Sequence, residues 1–340
     1  MEKCFVTKLS GRTDNQNLLK IGEMRIYFAK VSGSTPRKIT LSFKDDCQVS
    51  INGGYFTDNS FSINIGTTEN FAAATKKDLF ISNDECYVSI ENKYSLKEIL
   101  CTCDIKSFDI SSLKYSNKLI GISLKSTGVY GNISDLKNLT SLYLIEINSS
   151  NVTGDISSLK NLNLKILQIN SPNVTGDISS LQNMTTLASI NIDSTAITGD
   201  ISALQKMSKL NIIVLDNTQV SGDVSSFNNL SSLTTLYCKA KFVTGEISLL
   251  PANLKILTAK NEALFKWKGT RPSASSIISL ENVRLGSDVD SMLNNMANCT
   301  DINSSSGSKF IKVIGTKTSA SDTAVATLQQ KGYTVSITPA

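Results

Sequence analysis

Apolar residues recur at fixed intervals through the middle of the chain. Leu119, Ile122 and Leu124 form an apolar-x-x-apolar-x-apolar unit. The unit returns at Leu142/Ile145/Ile147, Leu164/Leu167/Ile169, Leu187/Ile190/Ile192, Leu210/Ile213/Leu215 and Leu233/Leu236/Cys238. Its last two positions alternate, which predicts a short strand with one buried side. Seven residues after each unit stands a glycine: Gly131, Gly154, Gly176, Gly199, Gly222 and Gly245, spaced 22 or 23 residues apart. Each is followed by an acidic or amide residue, a β-branched residue and Ser, as in Gly154-Asp155-Ile156-Ser157. A second apolar set, such as Ile156, Leu159 and Leu162, closes each coil over a core. The glycine suits a tight bend or a close approach between coils, because it has no Cβ.

A period of this length is the signature of a solenoid. It extends outward to Leu96, Ile99 and Cys101, with Phe108 in the glycine slot, and to Leu254, Leu257 and Ala259. A degraded unit at Ile277 and Leu280 follows, giving about eight strands between Leu96 and Leu285. Residues 1–92 lack the repeat. Their short alternating runs, such as Lys38–Phe43 and Cys86–Ile90, predict a β-rich domain that also caps the first coil. After residue 285 the pattern changes again. Ser287–Met296 reads as a capped helix, Phe310–Ile314 as a strand, a helix capped by Ser319 or Ser321 runs to Gln330, and Tyr333–Ile337 is a last strand. The predicted architecture is an α/β-type, right-handed repeat solenoid dominated by short parallel strands. It has a β-rich N-terminal domain (1–92), a solenoid (93–285) and an α/β C-terminal cap (286–340).

Composition narrows the chemistry. The 340 residues are 40% hydrophobic and 19% charged, enough to bury a core. The chain contains no histidine, which removes Ser-His-Asp and Cys-His catalysis and the commonest metal ligand. A net charge of +5 without basic runs or interleaved aromatics argues against a nucleic-acid groove. The seven cysteines form no Cys-x-x-Cys pair and read as reduced, mostly buried thiols. The first eight residues show no apolar leader, and no run of 18 apolar residues predicts a membrane span. No metal or cofactor is expected, and synthesis in a cytoplasm is.

Three features are candidates for function. The first is the acidic slot after the glycine, Asp155, Asp177, Asp200, Asp223 and Glu246 after Asn132. Stacked coils would align these oxygens in a column able to take Ca²⁺, but recurrence in every coil favours caps on local turns. Such a column also lacks the two distinct carboxyl environments of a glycan-cleaving enzyme. The second is the exposed side of the strands. One row holds Leu144, Ile166, Ser189, Ile212, Thr235 and Ile256. A second holds Ser123, Glu146, Gln168, Asn191, Val214, Tyr237 and Thr258, and a third runs from Lys125 through Asp193 and Asp216 to Lys260. The apolar row exceeds what solubility requires and suggests a partner or packing against another subunit, with a solvated sheet of β-forming residues as the equal alternative. The third is the segment Leu264–Pro272, with the only Trp, Trp267, beside Arg271. Aromatic and Arg side chains are common interface anchors, but Trp267 filling a core gap is the favoured reading of the two. The candidate binding face is therefore Leu144, Glu146, Ile166, Gln168, Asn191, Ile212, Val214, Tyr237, Trp267 and Arg271.

These repeats resemble the leucine-rich-repeat family, in particular the variant with Thr-Gly-x-Ile after the strand found in plant receptor ectodomains. The slot that holds the asparagine ladder in that family here holds Ser150, Pro172, Thr195 and Thr218, and cysteine-paired caps are missing. The opening Val6–Gly11 with Gly22–Ile26, the Gly-Asp-Ile-Ser-Ser-Leu repeats and the end Lys317–Asp322 also resemble virion surface proteins of the crAss-like phages of gut Bacteroidales. That resemblance implies a non-enzymatic head fibre or tail appendage located in the virion. It would join other virion proteins through residues 1–92 and meet a host glycan or protein through the solenoid, with a homo-oligomer as a further option. A bacterial leucine-rich-repeat adhesin or interaction module at the cell surface is the alternative, and a glycan-cleaving enzyme a distant third.

Overall fold

The computed structural model describes residues 96–101, 105–259, 264–270, 279–299 and 309–339, together with eight strands among residues 1–95. The repeat forms a solenoid. Its main sheet carries one strand per coil, nine in all: Leu96–Cys101, Gly121–Leu124, Leu144–Asn148, Ile166–Asn170, Ser189–Asn191, Ile212–Val214, Thr235–Cys238, Ile256–Ala259 and Ser279–Gly286. They pair in parallel and in the order of the coils, each joined to the next by a crossover through the opposite wall. On the opposite wall, shorter strands such as Val129–Asn132, Asn151–Asp155 and Phe242–Glu246 pair in parallel, and single bridges at Asp177/Thr198 and Asp200/Ser221 continue the ladder. Each coil adds one strand to the main sheet and a strand or a single bridge to the opposite wall, so the apolar positions superimpose as columns. Leu164, Leu167, Ile169, Val174, Ile178 and Leu181 of one coil are all fully buried. Burial of one such side chain contributes roughly 1.5–3 kcal/mol.

A short 3-10 helix links the second strand back to the first. It spans Ile110–Leu113, Ile133–Leu136, Ile156–Leu159, Ile178–Leu181, Ile201–Leu204, Val224–Phe227 and Ile247–Leu249 in successive coils. With three residues per turn, positions i and i+3 lie on one side. That is why Ile156 and Leu159 both enter the core while the two serines between them lie towards the rim.

A ladder of buried hydroxyls, Ser126, Ser149, Ser171, Thr195 and Thr218, follows the main-sheet strands, and its position shifts by one residue along the chain. In the early coils Ser126, Ser149 and Ser171 bond backbone of the preceding coil. Ser126 takes the Ile105 N–H at 2.8 Å, and Ser149 and Ser171 donate to the Val129 and Val152 carbonyls at 2.6 Å. In the next two coils Ser194 (φ 58°) and Asn217 (φ 54°) turn left-handed. Thr195 and Thr218 then donate within their own coil, to the Ile192 and Leu215 carbonyls. The slot inferred from sequence therefore holds for Thr195 and Thr218 and is one residue late at Ser150 and Pro172.

The first coil is continued by antiparallel strands. Arg37–Phe43 pairs with Leu96–Cys101 in the main sheet, and Met24–Phe28 pairs with Ile105–Asp109 on the other wall. Both walls thus run on into the N-terminal strands, and neither exposes an open edge at the first coil. At the other end Ser279–Gly286, Lys309–Gly315 and Tyr333–Thr338 extend the main sheet in parallel. They are linked by helix α1 (Val289–Ala297) and helix α2 (Asp322–Gln330). Helix α1 buries Val289, Met292, Leu293 and Met296, the i, i+3, i+4, i+7 stripe of an amphipathic helix.

The helix caps differ from the sequence expectation. Neither Asp288 nor Ser321 caps its helix with its side chain. Thr318 caps the 3-10 turn Ser319–Ser321, and the Ser321 hydroxyl donates instead to Asp290 at 2.5 Å. No helix among the described residues is long and apolar enough to cross a membrane.

Candidate binding face

The outward side chains of the main sheet align in straight rows because the parallel register never slips between Leu96 and Ala259. Leu144 lies beside Ile166, then Ser189, Ile212, Thr235 and Ile256. Glu146 lies beside Gln168, then Asn191, Val214, Tyr237 and Thr258. Eight of the ten candidate residues therefore share one surface. Leu144, Ile166, Val214 and Tyr237 are half-buried, and Ile212 is 37% exposed, the most open aliphatic side chain on the face. Within the second row Ser123 and Thr258 are buried, and the stretch between them, from Glu146 to Tyr237, is presented.

Polar groups frame this centre. At the N-terminal side Glu146 accepts the Ser123 hydroxyl at 2.7 Å and pairs with Lys125 at 3.2 Å. In the later coils Asp193 accepts the Ser194 hydroxyl and the Asn217 amide. Asp216 accepts the Lys239 N–H at 2.7 Å, with the Lys239 ammonium at 3.8 Å. Burial pushes the Asp216 carboxyl above its usual range, and the nearby charge of Asp193 adds to this against the pull of Lys239. Lys260, at the end of this third row, lies outside the described residues. Sequence reasoning missed one more coil of the face: Glu98 precedes Gly121 in the first row, 3.4 Å from the Tyr143 hydroxyl. The unit at Leu96 had already signalled it.

Two candidates leave the face. Trp267 is fully buried and among the largest core side chains, so it is not presented to a partner. Its N–H donates to Asp288 at 3.0 Å and its indole N–H to Asn295 at 3.3 Å, fastening the last coil to α1. Arg271 and Pro272 lie outside the described residues, as does Ile277.

The acidic column is a column of caps. Asp109, Asn132, Asp155, Asp177, Asp200, Asp223 and Glu246 each accept the backbone N–H of the serine two residues on, at 2.7–3.1 Å. The Ser179 hydroxyl, and after it this turn bond, holds the Asp177 carboxyl below its usual range. The repeating glycines interlock with it. Gly131, Gly154, Gly176, Gly199, Gly222 and Gly245 all have φ between +98° and +127°. A Cβ there would stand 1.9–2.8 Å from the cap oxygen of the preceding coil. Among the described residues no three His, Cys, Asp or Glu side chains come together as a metal site.

No protein-family model matches the sequence, and comparison with curated proteins finds no match. Solved leucine-rich-repeat structures are similar in fold. An internalin (inlF) from Listeria monocytogenes is 22% identical over 52% of this chain and 51% of its own, with a TM-score of 0.37. The ectodomain of the Arabidopsis receptor kinase HAESA, in complex with an extended IDA peptide hormone, is 20% identical over 54% of this chain and 34% of its own, with a TM-score of 0.42. The plant peptide hormone receptor RGFR1, in complex with RGF2, is 17% identical over 68% of this chain and 41% of its own, with a TM-score of 0.47. The chain thus spans about half of that internalin and less than half of either receptor.

Proposed function

We propose that the chain is a non-enzymatic recognition protein that presents the strand face of its solenoid to a macromolecular partner. The observation that carries this reading is the unbroken register of half-exposed Leu144, Ile166, Ile212, Val214 and Tyr237, above columns that are otherwise sealed. The extended sheet built by stacked coils is the usual ligand surface of a solenoid. In its specific form the proposal is a virion structural or appendage protein, a head fibre or tail appendage of a crAss-like phage. Residues 1–92 would attach it to other virion proteins, and the strand face would meet a host surface protein or glycan. The resemblance of the opening, the repeats and the end to such proteins supports this form. A bacterial leucine-rich-repeat adhesin or interaction module uses the same face and is the second reading.

Mass spectrometry of purified phage particles from a gut Bacteroidales host separates the two. High copy number in particles, with antibody labelling on head or tail, supports the virion form. Recovery only from host cell envelopes refutes it and leaves the interaction module. Loss of partner binding in an Ile212→Lys/Tyr237→Ala variant that melts like wild type would support the strand face, and unchanged binding would move the site elsewhere.

A further inference from the structure

Polar side chains along the strand face are mostly answered within the chain. Glu98 faces the Tyr143 hydroxyl, Glu146 takes the Ser123 hydroxyl and pairs with Lys125, and Thr234 donates to the Asn211 amide oxygen at 3.0 Å. Asp193 and Asp216 accept from Asn217 and Lys239. One compact set departs from this. Among the described residues Asn148, Gln168, Asn170 and Ser189 make no side-chain hydrogen bond. Asn191 commits its Oδ1 to the Asp193 N–H at 3.0 Å and keeps its amide N–H groups. The ladder brings the set together: Asn148 is paired with Asn170, Gln168 with Asn191, and Ser189 with Ile166.

Exposed amides are ordinarily met by water, so exposure alone points to nothing. Asn170 is different. Its Oδ1 is shut off from solvent and has no donor within the chain. An acceptor in that state costs free energy until a donor is supplied. Asn148, its exposed neighbour in the ladder, can turn aside and let one in. The first row adds a shape. Ser189 stands between Ile166 and Ile212, and the residue before it, Ala188, is also small. The row is therefore lowered over one coil, between two aliphatic walls set about 10 Å apart by two strand spacings of about 4.8 Å. Gln168 and Asn191 of the second row line one side of this notch.

We propose that this notch binds a neutral saccharide, an inference that rests on the recognition role of the strand face and names its ligand class. The set carries no charge, and the carboxylates beside it, Glu146 and Asp193, already have donors, so nothing in it selects an ion. A sugar hydroxyl both donates and accepts, and a side-chain amide offers an oxygen and two N–H groups side by side. A ring in the notch sets its C–H surface against Ile166 and Ile212. Its hydroxyls then reach Ser189, Gln168 and the free N–H groups of Asn191, and one donates to Oδ1 of Asn170. A protein segment fits this spot less well. It would strip water from the amides, whereas the centre of a protein interface is built on Tyr, Trp and Arg anchors. The Tyr of the second row, Tyr237, lies two coils beyond Asn191.

Isothermal titration calorimetry of the full chain tests this, with maltotriose, mannotriose and tri-N-acetylchitotriose as neutral probes and a heparin oligosaccharide as the anionic control. At least one neutral trisaccharide is expected to bind, and more tightly than heparin. Gln168→Ala/Asn170→Ala should weaken that binding by about tenfold or more. Ser189→Leu, which fills the notch from an outward position, should abolish it, and Thr175→Leu on the opposite wall should leave it unchanged. A thermal melt of each variant checks that it folds, and the alanine pair carries the test should Ser189→Leu melt early. Failure of all three neutral probes overturns the proposal, as does preference for heparin or binding that survives the alanine pair. Should the trisaccharides fail while Ile212→Lys/Tyr237→Ala still removes binding of a protein partner, the strand face stands and the saccharide falls.

Discussion

Gly199→Ala tests the interlock between glycine column and cap column, which holds one coil to the next. Two costs arise. The backbone at Gly199 has φ +98°, where an L-residue is strained, and holding such a conformation costs about 1–3 kcal/mol. The new Cβ would also lie 2.2 Å from Oδ1 of Asp177 and 2.6 Å from its Cγ. The carboxylate must then swing away and give up the 2.7 Å bond from the Ser179 N–H, and losing a cap of this kind costs about 1 kcal/mol. Together the substitution should destabilise by about 2–4 kcal/mol. The readout is urea unfolding followed by circular dichroism.

A double-mutant cycle separates the two costs. Asp177→Ala alone removes the cap and should cost about 1 kcal/mol. In that background Gly199→Ala no longer meets the carboxylate, so only the backbone strain remains. The double variant should therefore be more stable than the sum of the single changes predicts. An alanine variant as stable as wild type, or strict additivity in the cycle, would refute the interlock and leave the glycine a matter of local turn geometry.

Further predictions concern the C-terminal end and the core. Trp267→Ala should cost about 3–5 kcal/mol in a thermal or urea melt, as for other large-to-small changes in a sealed core; a cost under about 1 kcal/mol would return Trp267 to the surface. At Asp290 burial opposes the charge, but hydrogen bonds from Ser321, the Thr318 hydroxyl and the Thr318 N–H, with Lys317 nearby, outweigh it and hold the carboxyl below its usual range. The unfolded carboxyl titrates near pH ~4, so this contribution is complete above that value and is lost as the pH falls through the lower folded value. Urea midpoints measured down through that window should fall for wild type and converge on those of Asp290→Asn, and parallel curves would remove the linkage. Burial, and secondarily the charge of Asp216, pushes the Cys238 thiol up. Cys238 should thus resist a thiol-directed disulfide reagent until the chain is unfolded, and rapid labelling of the native protein would contradict its sealed position.

The columns were legible in the sequence because a solenoid repeats its packing problem. Leu164, Leu167 and Ile169 report the same geometry as Leu187, Ile190 and Ile192, and all six are fully buried. The glycine and acidic slots were legible for the same reason, and their use as caps follows from their recurrence. The one-residue shift of the hydroxyl ladder was not. It depends on Ser194 and Asn217 adopting left-handed backbone, which spacing alone does not reveal. The helix caps of the C-terminal part misled for a different reason. Asp288 and Ser321 are the right residue types, but tertiary partners, the Trp267 N–H and Asp290, claim their side chains. Thr258 follows the alternation of an outward residue, yet it is buried.

The departures from the repeat sort themselves by which column they fall in. The glycine slot holds an aromatic residue at both ends, Phe108 in the first coil and Trp267 in the last, and both are buried. No coil of the repeat precedes Phe108, so no cap there demands a glycine. Before Trp267 the cap is Glu246, one methylene longer than Asp, and it reaches to accept the Lys268 N–H at 2.9 Å. These exceptions are structural: a change in one coil answers a change in its neighbour. The outward row Leu144, Ile166, Ser189, Ile212, Thr235, Ile256 varies over an invariant floor, since Ile145, Leu167, Ile190, Ile213, Leu236 and Leu257 beneath it are all fully buried. Packing supplies no reason for that variation. Under the proposed recognition role Ile212, with Val214 and Tyr237 of the neighbouring row, are the residues to change first, and Trp267, sealed in the core, is not.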